Sequence, residues 1–203
     1  MSIYLARNGK MLTRLNGTRY FGDTVTPVPP GPTPTEVTIG NQTWMGTNLS
    51  VTDGGSDIIT KTVNYGNGPI TEYYYSWYAA VRIANSIEGW HLPTFDEYYA
   101  LDTYVGHGVA GTLLKSTYGW TSGNGTDIYG FSAFPAGYIR HDESSREIHD
   151  FGSMSPFWTI DESGVNPSQA AQYIYFNTEA GLWWQNNRWK MDYMQVRLVK
   201  DQQ

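Results

Sequence analysis

Apolar side chains at Tyr74, Trp77, Tyr78, Val81 and Ala84 recur at three- and four-residue intervals, which predicts a helix over residues 72–86 with one buried stripe. Phe95, Tyr98, Leu101, Tyr104 and Val105 repeat the pattern, and this second helix has both ends written into the sequence. Thr94 can cap the first free amides while Glu97, three residues on, reaches back to the Thr94 amide. Asp96 and Glu97 also favour the positive helix end, and Gly106 is placed to stop the helix. Elsewhere the period is two. Val37 and Ile39 alternate with polar residues up to Gly40-Asn41 and the pattern resumes toward Trp44, which predicts a hairpin over 37–45. Beyond Gly106 the chain is Gly-rich and aromatic, as short strands joined by structured loops would be. In Gln172-Tyr173-Ile174-Tyr175-Phe176 the alternation points Ile174 and Phe176 inward and Tyr173 and Tyr175 outward. A last strand alternates Val196 and Leu198 against Arg197 and Val199. No fixed-period repeat argues for a solenoid or propeller, so the body reads as one mixed α and β domain.

Ahead of this body lie two short stretches of different character. Residues 1–24 alternate apolar positions (Ile3, Leu5, Leu12, Leu15) around the turn signals Asn8-Gly9 and Asn16-Gly17, a β-rich segment too small for its own core. It would need a neighbour, either the main domain or another copy of the chain in a homo-oligomer. Residues 25–35 carry Pro27, Pro29, Pro30, Pro32 and Pro34, which suits an extended linker of about 3 Å per residue. The expected organisation is therefore an attachment segment at 1–24, a linker at 25–35 and a domain at 36–203.

Composition narrows the function. Of 203 residues 15% are aromatic and only 16% charged, with 8 Trp and 16 Tyr against 7 Phe, so large side chains with polar tips dominate. Such residues suit a core rim or a contact surface. A net charge of −6 without any Lys or Arg cluster argues against nucleic acid as partner. The absence of cysteine removes disulfide scaffolds, thiolate metal sites and cysteine catalysis. The N-terminus lacks an apolar stretch of signal-peptide length and nothing later is long enough for a membrane helix, so synthesis in the cytoplasm without membrane insertion is expected.

The run Gly89-Trp90-His91-Leu92-Pro93-Thr94 belongs to a series of ordered blocks. Val37-Thr38-Ile39-Gly40-Asn41-Gln42-Thr43-Trp44-Met45, Asn48-Leu49 and Tyr75-Ser76-Trp77 precede it. Leu114-Lys115-Ser116, Gly123-Asn124-Gly125-Thr126-Asp127, Tyr129-Gly130-Phe131-Ser132-Ala133, Pro135-Ala136-Gly137, Phe157-Trp158 and Val196-Arg197-Leu198-Val199-Lys200 follow. Through these blocks residues 36–203 resemble the Fibrobacter succinogenes major paralogous domain, a bacterial branch of the C-type lectin-like fold related to formylglycine-generating enzymes. The resemblance implies an α+β, C-type lectin-like domain with two helices packed on small antiparallel sheets and a ligand-facing surface in the C-terminal third. It also implies a non-enzymatic role like that of phage tail receptor-binding proteins and of the variable proteins of diversity-generating retroelements. The partner would be a bacterial surface protein or glycan, with other tail proteins meeting the N-terminal segment. The chain would then sit on the virion; a bacterial surface or pilus-tip adhesin is the alternative, and a glycan-active enzyme a more distant one.

Within 170–193 the candidate ligand-binding residues are Tyr173, Tyr175, Trp183, Trp184, Asn186, Asn187, Trp189, Met191, Asp192 and Tyr193. Rigid aromatics interleaved with adaptable amides make a surface like an antibody paratope. Adjacent residues of an extended strand face opposite ways, so only one of Trp183 and Trp184 can enter a single core. Asn186-Asn187 suits a turn, with Trp189 on the returning strand. His141 to Asp150 gathers two histidines and four carboxylates but matches no metal motif and reads as a solvated loop. Asp161-Glu162 reads as a loop after a core Trp158 rather than a sugar-cleaving pair. The Glu-Pro-Asn and Trp-Asn-Asp triplets of calcium-dependent lectins are missing, as are the active cysteines of formylglycine formation. No catalytic residue, cofactor or metal is expected.

Overall fold

The computed structural model describes residues 35–201, with the backbone alone for 183–187. The attachment segment and all but the last residue of the linker lie outside the described residues. In chain order the elements are β1 (Glu36–Ile39), β2 (Gln42–Met45), β3 (Ile58–Asn64), β4 (Pro69–Tyr75), α1 (Trp77–Ala84), β5 (Trp90–His91), α2 (Phe95–Val105) and α3 (Ala110–Leu114). Then come β6 (Tyr138–Ile139), β7 (Ile148–His149), β8 (Ser155–Glu162), β9 (Ala170–Phe176), β10 (Leu182–Trp189) and β11 (Val199–Lys200). The described body is thus α+β, its strands gathered in small antiparallel sheets.

One sheet has the order β1-β2-β11-β5, so the last strand of the body returns between its first hairpin and the Trp90 segment. The predicted β1–β2 hairpin forms with Glu36 opposite Met45 and Ile39 opposite Gln42. A second sheet, β10-β9-β8, packs Phe157, Ile174 and Phe176 against Trp44, Tyr98, Leu101 and Phe131 to form the main core. Aromatic edges meet faces there, Trp44 lying 5.8 Å from Phe131 at 67°. Such pairs add to the area burial of each ring.

Helix α2 has the predicted bounds for the predicted reason. Thr94 Oγ1 accepts the Glu97 amide at 3.1 Å and Glu97 Oε2 accepts the Thr94 amide at 2.7 Å. Gly106 ends the helix at φ 107°, a backbone angle that side chains resist. Helix α1 is shorter than its periodicity suggested. Residues 72–75 continue β4, pairing with β3 from Lys61↔Glu72 to Ile58↔Tyr75, and Ser76 caps the helix by accepting the Ala79 amide at 3.1 Å. The strand wins because Tyr74 and Tyr75 are both buried and their hydroxyls are satisfied by the Ala136 and Val51 carbonyls, each at 2.7 Å. The alternation at 196–199 is likewise not one of burial. All four residues are buried, and β11 comprises only Val199–Lys200. Helix α3 lacked any periodic signal.

Candidate functional site

Strands β9 and β10 pair regularly from Leu182↔Phe176 to Gln185↔Tyr173, then slip so that Arg188 opposes Ala171 and Trp189 opposes Ala170. An unbroken ladder would set Arg188 against Ala170. The one-residue bulge transfers it to the face that carries Tyr173 and Tyr175, because side chains alternate along a strand. There the Arg188 guanidinium lies 3.9 Å from the Tyr138 ring centroid, and Tyr138 stacks on His149 at 5.4 Å and 22°. Gly137 makes this approach possible, since its φ is 65° and a Cβ would run into the His149 carbonyl.

Asp192 is the buried anchor beneath these groups. Its Oδ2 is 2.7 Å from Arg188 Nε, while its Oδ1 accepts the His141 amide at 2.9 Å and lies 2.6 Å from His141 Nδ1. Ile139 and Tyr193 exchange backbone hydrogen bonds at 2.9 and 2.8 Å. The β6–β7 hairpin is therefore fixed to the loop after β10.

From the last residue of β10 into that loop the chain alternates in burial. Trp189 and Met191 stand 49% and 58% exposed, while Lys190 and Asp192 between and beyond them are buried. Lys190 is held by its backbone to Gln169 and Trp77, both at 2.8 Å, and by its ammonium to Glu162. Preceding β10, Lys115 Nζ donates to the Asn177 and Glu179 carbonyls, both at 2.9 Å, and burial lowers its ammonium to about 8. The exposed side chains thus project from a frame tied at several points.

Against the sequence-based expectations, Ile174 and Phe176 are inward and wholly buried, and Tyr175 is half-buried on the other face. Tyr173, expected outward, is buried. On its face of the sheet it packs beside its cross-strand neighbour Trp158, the rings 6.4 Å apart, and burial pushes its phenol up to about 12. Tyr193 is also buried, clustered with Tyr74 and Ile139, so it supports the face from within. Asp192 has its oxygens taken by Arg188 and His141. Asn186-Asn187 makes no turn: β10 runs through both, and Trp189 lies on the same strand as Trp183 and Trp184. The side chains of Trp183, Trp184, Asn186 and Asn187 lie outside the described residues. Trp183 pairs with Tyr175 and Trp184 with Ile174.

The acidic stretches are structural. Asp161-Glu162 belongs to β8 rather than a loop; Asp161 Oδ2 accepts the Phe95 amide at 2.6 Å at the start of α2, and Glu162 engages Lys190. The 141–150 stretch is not a free solvated loop, since Glu143 holds His149 at 2.6 Å and Ile148–His149 forms β7. Among the described residues no group of three or more histidine or carboxylate side chains could hold a metal ion. Tyr138, His141, His149 and Arg188 were not foreseen as parts of this face. The histidines stood in the stretch set aside as a loop, and the bulge that turns Arg188 leaves no mark in the residue pattern.

No curated protein and no solved structure matches the chain at a significant level. The family model for the Fibrobacter succinogenes major domain matches residues 37–200, from the first hairpin through β11. With that match running over most of its length, the chain belongs to the Fibrobacter succinogenes major domain family.

Proposed function

We propose that this protein is a non-enzymatic recognition module of C-type lectin-like architecture, binding a bacterial surface protein or glycan through the face built from β9, β10 and the loop after β10. One observation carries the reading. Trp189 and Met191, two large apolar side chains, are held in solvent at alternate positions of a segment whose intervening residues are locked into the frame. Burying either would release apolar surface from water at about 25 cal/mol per Å², a gain that the folded domain leaves for a partner. Preorganised aromatic anchors are the form that binding hot spots take. The return of β11 beside the first hairpin, together with two capped helices, supports the C-type lectin-like assignment.

The biological setting we propose is a phage tail, with this domain as a host-attachment protein diversified by a retroelement. Resemblance to such proteins is its support. Under that reading the changeable codons fall at exposed positions such as Trp189 and Met191 and spare the buried Tyr173, Asp192 and Arg197.

The test is binding of the fluorescently labelled protein to a panel of intact bacteria, comparing wild type with a Trp189→Ala/Met191→Ala double variant. The variant should keep its thermal midpoint within a few degrees and lose at least tenfold in cell binding. Undiminished binding would overturn the proposal.

A further inference from the structure

Resting on that recognition reading, we infer that the ligand is an acidic saccharide whose carboxylate is received by the outward edge of Arg188. The guanidinium is fixed on two sides. One face covers Tyr138 at 3.9 Å, and the buried Nε lies 2.7 Å from Asp192 as an ion pair, without the alignment of a hydrogen bond. Asp192 cannot take the rest of the fork, because its other oxygen already serves the His141 amide and ring. Both Nη atoms of Arg188 are left without a hydrogen bond among the described residues, on a side chain 23% exposed.

A stacked, oriented guanidinium with two free parallel donors matches a planar carboxylate and loses little freedom on binding it. The neighbouring acids do not compete strongly. Asp142 pairs with Arg140 at 2.7 Å and Glu143 with His149, while Asp150 is exposed to water, where its repulsion is weak.

The surroundings favour a sugar over a peptide. Tyr175 offers a partly open ring on the face of Arg188, and Trp189, next along the strand and turned the other way, keeps a largely open ring 6.1 Å from that of His141; the C–H faces of a pyranose can stack on such rings. A peptide would bind most readily as an added strand, and β10 is the edge of its sheet. That edge is interrupted by the bulge between Gln185 and Arg188, a device that blocks strand addition.

The experiment uses the full chain on an array of matched glycans, each ending in a uronic or N-acetylneuraminic acid, in its methyl ester, or in the neutral sugar. An acidic peptide series is printed beside them. Acid-terminated glycans should bind at least tenfold better than their esters, and Arg188→Gln should abolish the difference. Arg188→Lys, which keeps charge without the fork, should lose most of it. Should Arg188→Gln fail to fold, competition of free glucuronate against the bound glycan on wild-type protein reads the same preference. Equal binding of acid, ester and neutral glycans that is lost in Trp189→Ala overturns the carboxylate inference and leaves the recognition face standing. Preference for the peptides overturns the saccharide. Silence across the array also overturns this inference, and the recognition reading is then judged by the cell-binding comparison alone.

Discussion

The ammonium of Lys190 lies 2.5 Å from Glu162 Oε1, donates to the Pro167 carbonyl at 2.6 Å and sits 4.0 Å from the Trp77 ring. A buried cation thus joins β8, the 163–169 loop and α1 directly between the two exposed side chains of the candidate face. Removing one partner of a wholly buried pair costs about 3 to 5 kcal/mol. Glu162 remains partly open to water, so Lys190→Met should lower stability by about 2 kcal/mol, read from the urea midpoint. Glu162→Gln should cost less, since the amide still accepts from the ammonium. A Lys190→Met midpoint equal to wild type would show that the tie carries no stability.

Arg197 performs a similar task in the deeper core. Its Nη1 donates to the carbonyls of Met45 and Phe131, and its Nη2 to Asn48 Oδ1 at 2.6 Å. Asn48 in turn donates to Glu72 at 3.2 Å, and Tyr65 donates to the other Glu72 oxygen at 3.1 Å. Burial draws the guanidinium down to about 10, which leaves it charged at neutral pH. A lysine cannot span these acceptors, so Arg197→Lys should cost about 3 kcal/mol by leaving buried carbonyls unpaired. Chemical denaturation with an unchanged m-value checks this, and a loss under 1 kcal/mol would refute it.

These two cations mark the boundary of what the residue pattern discloses. The hairpin at Gly40-Asn41 and helix α2 are legible because their signals are local: a turn pair, a cap three residues from its partner, a glycine at the stop. Ser76 was an equally local cap, yet the spacing of Tyr74 and Trp77 spoke for helix before it, since a strand running into a helix can mimic the helical period. Tyr173 and Tyr193 were misread for a non-local reason. Alternation tells which residues share a face, and neither face of the β8-β9-β10 sheet is simply open: Phe131 and its neighbours pack on one side, while on the other Tyr173 is buried beside its cross-strand neighbour Trp158. Arg188 depends on a bulge and on Asp192, neither of which any single window of sequence specifies.

The α2 cap makes a small, clean prediction. Thr94→Ala removes the hydroxyl that accepts the Glu97 amide at 3.1 Å and should cost about 1 kcal/mol. Thr94→Ser retains the oxygen and should lose only a few tenths of that. Thermal melts of the three proteins decide the matter, and equal losses for alanine and serine would assign the effect to packing of the Thr94 methyl instead.

His91 gives the fold a pH dependence with a definite sign. Its Nε2 is 2.7 Å from Glu97 Oε1 and its Nδ1 is 2.7 Å from Asp201 Oδ1, so both ring nitrogens face carboxylates. The Glu97 bond, opposed by partial burial and aided by Asp201, raises the imidazole above its ordinary 6.5. Burial pushes Glu97 up, but its bonds to His91 and Thr94 outweigh that and hold it below the usual carboxylate range, so that between the two groups' titrations both are charged. A histidine with a raised folded value binds its proton more tightly in the native state than in the unfolded chain. Its stabilisation is complete below the unfolded value near 6.5 and disappears as pH rises through the folded one. Wild type should therefore exceed His91→Gln in melting temperature most at about pH 6, and the gap should close as pH rises into the alkaline range through the raised folded value. A gap of constant size across that range would mean that His91 acts by shape and hydrogen bonding rather than by charge.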